Sequence, residues 1–162
     1  MRNLNRSKVS SILKTAKITE APVDLNIVVA VFGFNILPFP FPDYRKGIVY
    51  IDREVRVIGV NSSHPITLQR FTIAHELGHF VNGHQHIDNE CDTSEKRFYT
   101  RHFQQEKEAD MFAGELLIPK DFITKDVSEI GLDEDKLSKR YVVSKQALWI
   151  RLKSLGLAEM YS

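Results

Sequence analysis

The stretch that decides this fold reads Arg70-Phe71-Thr72-Ile73-Ala74-His75-Glu76-Leu77-Gly78-His79-Phe80. Residues four apart lie one above the other on an α-helix, so His75 and His79 can bind the same metal ion. Glu76 projects beside that face, where its carboxylate can take a proton from a metal-bound water. The stretch therefore predicts a helix that carries two metal ligands and a general base.

The same stretch has the apolar periodicity of a helix. Its apolar residues recur at helical spacing, at Phe71, Ala74, Leu77, Phe80 and Val81. Asn82-Gly83 is a stop signal, and the helix is expected to begin after Pro65. The candidates for its N-cap are Ser62, Ser63 and Thr67. In the alternative interpretation, the two histidines are ordinary surface or core residues.

Length and composition fit a single globular domain over residues 1–162, with 43% hydrophobic and 27% charged residues. The net charge of +1 lacks the basic excess of a dedicated nucleic-acid binder. One cysteine, Cys91, excludes an internal disulfide and fits a reducing compartment. The N-terminus has no signal-peptide core, and the apolar run 25–34 is too short to span a bilayer. We expect a cytoplasmic protein with no membrane association.

The N-terminal half predicts two helices and a small sheet. The basic N-terminal segment 1–20 has apolar residues at helical spacing, which indicates an amphipathic helix. A second, buried helix is expected to begin at Pro22, with Gly33 as its C-cap. Three short strands follow, at about 34–38, 47–51 and 55–60. Such a series predicts a small, mostly antiparallel sheet.

The C-terminal half predicts a flap and a series of helices. Residues 84–103 are polar, show no period and are long for a connector, so we expect a functional flap or mobile loop. A strong helix over 104–118 ends before Pro119, which opens a short further helix. Residues 133–157 predict a helical pair, the second helix being capped by Ser144.

The third metal ligand has to come from outside the motif, because a catalytic zinc ion usually has three protein ligands and one open position. The acids of the 104–118 helix are Glu106, Glu108, Asp110 and Glu115. Glu106 and Asp110 are four apart and share a face. This pair resembles the second motif of thermolysin-like (gluzincin) peptidases, in which the Glu binds zinc and the Asp orients a metal-bound histidine. The alternative is that these acids decorate a solvated helix face.

Two neighbouring faces of this helix compete to supply the ligand. The face of Glu106 includes Ala109 and Ala113, which are small enough to let the helix lie against the motif helix near Gly78. The face of Glu108 carries the bulkier Met111 and Phe112 instead. A carboxylate must reach zinc at roughly 2 Å, so the flatter face favours Glu106 over Glu108.

Two stretches together resemble the ImmA/IrrE family of metallo-endopeptidases. They read Phe71-Thr72-Ile73-Ala74-His75-Glu76-Leu77-Gly78-His79 and Glu106-Lys107-Glu108-Ala109-Asp110-Met111-Phe112-Ala113-Gly114-Glu115-Leu116-Leu117-Ile118-Pro119. Residues 137–144 and 151–157 are similar to the C-terminal pattern of the family. The resemblance implies an α+β, zincin-like fold. It also implies one Zn²⁺ per chain, bound by His75, His79 and Glu106, with Glu76 as the catalytic base. Asp110 stands where the family usually has Asn.

The resemblance also implies a biological role. Members of the family are cytoplasmic peptidases that cleave a helix-turn-helix repressor of a phage, mobile element or stress regulon, and cleavage releases transcription. The segment before the core is too short for a helix-turn-helix domain, so the repressor is expected to be a separate partner. The donor that steadies the oxyanion is left open, with Tyr99 and His102 of the flap as candidates.

A different class of function also fits part of the chain. Residues 137–155 resemble a helix-turn-helix, with a turn at 142–144 and with Lys145 and Arg151 available for phosphates. In this alternative the protein is a DNA-binding or protein-interaction module whose metal site is structural or proteolytically silent. Direct DNA binding is not expected, because the charge balance offers no broad basic surface.

Overall fold

The computed structural model describes residues 2–84 and 95–159, and their side chains over 4–84 and 102–159. The helices in this part are α1 (Arg2–Ala16), α2 (Leu25–Ala30), α3 (Ile66–Val81), α4 (Glu95–Leu117), α5 (Lys120–Ile130), α6 (Glu134–Tyr141) and α7 (Lys145–Ser154). The strands are β1 (Phe34–Phe39), β2 (Gly47–Ile51) and β3 (Arg56–Asn61). The predicted α+β class is confirmed. Cys91 lies outside the described residues.

The sheet is mixed rather than mostly antiparallel. Its strand order is β1-β3-β2, with β1 and β3 parallel and β2 and β3 antiparallel. The prediction failed because β2 does not pair with its sequence neighbour β1. After β1 the chain forms β2 at the opposite edge of the sheet, and β3 then inserts between the two strands. The side-chain amide of the buried Asn61 stabilises the connection between β1 and β2. It donates hydrogen bonds to the carbonyls of Phe41 and Arg45, at 3.0 and 2.9 Å.

The motif helix α3 has the predicted extent but not the predicted cap. Pro65 occupies the N-cap position, and no side chain caps the helix there. Ser62, Ser63 and Thr67 were the wrong candidates, because the N–H of Ser63 donates to Asn61 Oδ1 in a turn that brings Pro65 to the helix start. At the other end, Asn82 is the C-cap and Gly83 has a left-handed φ of 68°. The stop signal is thereby confirmed.

Two further helices begin at positions other than those predicted. Helix α2 begins after Asp24, whose side chain accepts hydrogen bonds from the N–H groups of Asn26 and Ile27, so Pro22 lies outside it. Helix α4 begins at Glu95, so residues 95–103 of the expected flap are helical. Extending an existing helix costs little when the added residues include strong helix formers such as Glu, Lys and Arg. The flap residues 85–94 lie outside the described part of the chain.

The C-terminal helices α6 and α7 both begin at a residue whose side chain caps the helix. Asp133 and Ser144 cap α6 and α7 by accepting hydrogen bonds from Lys136 N and Ala147 N. The core includes residues of α1, α2, the sheet, α3, α4 and the C-terminal helices, and its largest fully buried side chains include Phe34, Leu77, Phe112, Leu137, Tyr141 and Leu148. Among the described helices, none combines the length and apolar character needed to cross a bilayer.

Candidate metal centre

Three side chains from α3 and α4 point at one position in space. Nε2 of His75 lies 3.0 Å from Nε2 of His79. The carboxylate of Glu106 lies 3.2 Å from both atoms, with Oε2 facing His75 and Oε1 facing His79. Ligand atoms around a tetrahedral zinc ion at 2.0–2.1 Å are about 3.3 Å apart. The donor set of two imidazole nitrogens and one carboxylate therefore fits a zinc ion by type and by spacing, and these three residues form a group that could hold a metal.

Close packing of α3 on α4 produces this convergence. A Cβ on Gly78 would lie 3.1 Å from the carbonyl oxygen of Ala109 and 3.0 Å from Cδ1 of Phe112. Ala109 and Ala113 are fully buried. Since a glycine on α3 meets an alanine on α4, the helix backbones approach closely, and Glu106 lies less than one turn before Ala109. The alanines that distinguish the Glu106 face from the Glu108 face in the sequence thus lie on the side of α4 that packs against α3.

Asp110 holds the outer nitrogen of His75. Its Oδ1 lies 2.8 Å from Nδ1 of His75. Nδ1 is therefore the protonated nitrogen when Nε2 binds a metal. Burial lowers the pKa of His75, but the hydrogen bond to Asp110 and the charges of Asp110, Glu106 and Glu76 outweigh burial and leave the pKa raised. Asp110 thus makes the contact that the resemblance to gluzincin peptidases predicts for the residue that orients a metal-bound histidine.

Glu76 faces the strand side of the site. A Cβ on Gly47 at the start of β2 would lie 2.6 Å from Thr72 Cγ2 and 3.7 Å from Glu76 Cγ. Any larger residue would push β2 away from α3. The glycine thus lets the strand approach the carboxylate that was predicted to be the base.

A cleft of about 660 Å³ contains these groups. It is lined by Tyr44, Arg45, Lys46, Gly47, Phe71, Thr72, His75, Glu76, His79, His102, Gln105, Glu106 and Asp110. The cleft runs between the beginning of β2 and the helix pair α3–α4. The three expected ligands and the expected base all line it.

The two candidate oxyanion donors differ in what the structure describes. His102 lines the cleft, with Nε2 4.0 Å from Oε1 of Glu106. It therefore lies beside Glu106, the expected third ligand, on an exposed part of α4. The side chain of Tyr99 lies outside the described residues.

The contacts of two residues beside His79 were not predicted from the sequence. Nδ1 of His84 lies 2.9 Å from Nδ1 of His79, and Nε2 of His84 lies 3.0 Å from Oε2 of Glu108. The sequence pattern places His84 in the flap and offers Glu108 only as a rival metal ligand. The Asn82-Gly83 helix stop could have indicated the contact with His79, because such a stop turns the chain so that the residue after the glycine packs on the last turn of the helix.

Of the two cations that the DNA-binding alternative would use, Arg151 is engaged within the fold and Lys145 is exposed. The guanidinium of Arg151 is mostly buried, donates to the carboxylate of Glu115, and donates from Nε to the carbonyl of Ile118 at 3.0 Å. Lys145 is paired with Asp135 at 2.7 Å. Arg151 therefore joins α7 to α4 instead of facing a phosphate.

Comparison with known proteins gives a family and a fold. The family described as the IrrE N-terminal-like domain (peptidase M78) matches residues 29–153. No curated protein sequence matches the chain. A solved structure of a Mycobacterium tuberculosis transcriptional regulator is similar, with a TM-score of 0.70 and 20% sequence identity. The similarity covers 93% of this chain and 46% of that one, so this chain spans less than half the length of the regulator. At this identity the likeness shows the fold alone.

Proposed function

Because the chain belongs to the family of the IrrE N-terminal-like domain, peptidase M78, we propose that it is a zinc-dependent endopeptidase. The observation that carries the proposal is the convergence of His75, His79 and Glu106 within 4.8 Å of one another in a cleft. Two imidazoles and a carboxylate with an open fourth side are the ligand set of catalytic rather than structural zinc sites.

The proposed mechanism assigns separate tasks to the residues of the cleft. When bound, zinc supplies a Lewis acid for the scissile carbonyl and lowers the pKa of a water molecule to about 7. Glu76 accepts the proton of the attacking water and transfers it to the leaving amine. Asp110 holds the Nδ1 proton of His75 and so keeps the Nε2 lone pair directed at the metal.

The substrate backbone is proposed to lie along β2. Within the described part of the chain, β2 is an edge strand that pairs with β3 alone. Its first residue, Gly47, lies against α3 beside Glu76. An extended peptide added to this edge would form main-chain hydrogen bonds with β2 and pass in front of the catalytic base. This binding mode suits an endopeptidase, because it recognises a segment of chain rather than a terminus.

The proposed substrate is a helix-turn-helix repressor of a phage, mobile element or stress regulon, cut in the cytoplasm to release transcription. The family membership and the regulatory description of the structural neighbour support a regulatory target. The repressor is proposed as a separate partner. Binding of this chain to the operator is not part of the proposal, because Arg151 is held by Glu115.

The test is a cleavage assay with the repressor encoded beside this protein. We expect cleavage with one zinc per chain, loss of cleavage with a chelator, and recovery on adding zinc. Glu76→Gln should still bind zinc while cleavage falls by about 10²–10⁴-fold, the usual contribution of a general base. Glu54→Gln, an exposed acid in the β2–β3 turn, is the matched control and should cleave like the wild type.

Two outcomes would overturn the proposal. Cleavage by Glu76→Gln at the wild-type rate would remove the assigned mechanism. A gel shift in which this protein alone binds the operator tightly and sequence-specifically, with no cleavage of the repressor, would support the DNA-binding alternative instead.

A further inference from the structure

We propose that His84 is a positioning residue for the ligand His79, and that Glu108 completes the support by holding His84. This inference rests on the proposed metal site. The two histidine ligands differ in their outer partners. His75 is held directly by a carboxylate, whereas Nδ1 of His79 meets the imidazole of His84 at 2.9 Å. His84 in turn meets the carboxylate of Glu108 at 3.0 Å.

The end of α3 builds this contact. The N–H of Gly83 donates to the carbonyl of Phe80 at 3.0 Å, and the N–H of His84 donates to the carbonyl of His79 at 2.9 Å. These two bonds, with φ of 68° at Gly83, form a Schellman motif. The motif turns the chain back so that the residue after the glycine packs on the residue five positions earlier. Here that packing joins two imidazole rings, with centroids 5.0 Å apart.

With a metal bound at Nε2 of His79, one arrangement of protons satisfies the whole chain of contacts. A metal bound at Nε2 of His79 requires the proton of that ring on Nδ1. That N–H donates to Nδ1 of His84, which must therefore be an acceptor, so the proton of His84 is on Nε2. Nε2 of His84 then donates to the carboxylate of Glu108. Each nitrogen has the role that its neighbour needs, and the direction of donation runs from the ligand to the acid.

Glu108 is suited to end this chain. Its other oxygen accepts a hydrogen bond from Nε2 of Gln104, one turn earlier on α4, at 2.8 Å. Glu108 therefore accepts a hydrogen bond at each carboxylate oxygen, one from Gln104 and one from His84. The side chain of His84 is only 7% exposed, which shields the contact with His79 from competing water.

The support explains why three acids stand at alternate positions on α4. Glu106 faces the metal position, Asp110 holds His75, and Glu108 reaches His79 through His84. A ligand whose outer nitrogen is paired keeps its tautomer and ring orientation, and losing such a partner usually costs 10–100-fold in metal affinity. We infer that His84 contributes an effect of this size.

The experiment measures the zinc dissociation constant by competition with a chromophoric chelator, in the full chain. His84→Leu removes both hydrogen bonds, and we expect a dissociation constant raised 10–100-fold. His84→Asn keeps a short acceptor for Nδ1 of His79 and should recover most of the affinity. Glu108→Gln leaves the helix end untouched, and we expect a smaller increase. The visible spectrum of the Co²⁺-loaded protein should change in His84→Leu, because the His79 ring is no longer held in one orientation.

A purely structural role of His84 predicts a different pattern. It would lower the unfolding temperature of the metal-free protein in both His84 variants, with no rescue of zinc affinity by Asn. That pattern, or wild-type zinc affinity in both His84→Leu and Glu108→Gln, would overturn the inference while leaving the proposed function intact. A wild-type chain that binds no zinc would overturn both.

Discussion

The acids of the candidate metal centre and the acids that join the C-terminal helices to the core have opposite environments. The side chain of Asp126 is 4% exposed and accepts hydrogen bonds from Arg140 Nε at 2.6 Å and from the Tyr141 hydroxyl at 2.7 Å. The side chain of Glu106 is 40% exposed and faces two histidines. A buried acid paired with a permanent cation is a structural tie, whereas an acid that faces two imidazoles across a cleft leaves a position for a cation from solution.

The comparison shows that residue type alone does not distinguish a site from a structural pair. Glu115 lies nine residues after Glu106 on the same helix, yet it is buried and bonded to Arg151. The difference lies in the element that each face of α4 meets. One face meets α3 with its histidines, and another meets α7 with its arginine.

The largest expected effect is the loss of the third ligand. Glu106→Gln should weaken zinc binding by about 1,000-fold, because a zinc-binding free energy on the order of 10–16 kcal/mol is shared among few ligands. Zinc content after gel filtration checks this result. Glu108→Gln, two residues away, should retain zinc through gel filtration, with only the smaller loss of affinity that follows from its contact with His84. The reverse result would move the ligand to Glu108 and contradict the geometry of the centre.

The next largest effect is the loss of stability when the buried acid Asp126 is removed. Asp126→Ala should lower the free energy of unfolding by roughly 3 kcal/mol, at the lower end for a broken buried pair because Arg140 can still reach water. The zinc affinity of the folded protein should not change. Urea denaturation measures the first quantity and chelator competition the second. Asp135→Ala, which breaks the exposed pair with Lys145, is the control and should show no measurable loss of stability.

The contact between α3 and α4 at Gly78, which brings the two histidines and Glu106 together, can be tested by adding one methyl group. Gly78→Ala should cost about 2 kcal/mol of stability, since the new Cβ would lie 3.0–3.2 Å from Phe112 and the backbone of Ala109. It should also weaken zinc binding, because α4 carries Glu106. Gly114→Ala on α4, where a Cβ meets nothing within 4 Å, should instead be about 1 kcal/mol more stable. Equal effects of the two substitutions would contradict the close packing.

The smallest expected effect concerns one hydroxyl group. Tyr141→Phe should cost about 1.5 kcal/mol, because it removes a hydrogen bond to a charged group and leaves Arg140 on Asp126. Burial and the hydrogen bond to Asp126 raise the pKa of Tyr141. The folded state therefore resists ionisation, so this stabilisation is present below the unfolded pKa of about 10 and is lost above it. The Phe variant should lose stability less steeply above pH 10 in alkaline denaturation.

Features contained within one helix were predictable from the sequence. His75, Glu76 and His79 lie on α3, and Glu106 was preferred to Glu108 from the small residues on its face. The helix stop at Asn82-Gly83 was also predicted and is observed. The regular 3.6-residue turn relates such residues to one another before any tertiary contact forms, so spacing alone determines which side chains share a face.

Tertiary structure alone decided which distant residues meet. The insertion of β3 between β1 and β2, the pairing of Arg151 with Glu115, and the contact from His79 through His84 to Glu108 join residues that no local period relates. Each depends on the close approach of whole elements, above all that of α3 and α4 at Gly78. The sequence by itself therefore predicted the candidate ligands and the candidate base, because helix geometry is local. The packed fold determined what holds these residues in place, because packing joins residues that are distant in the sequence.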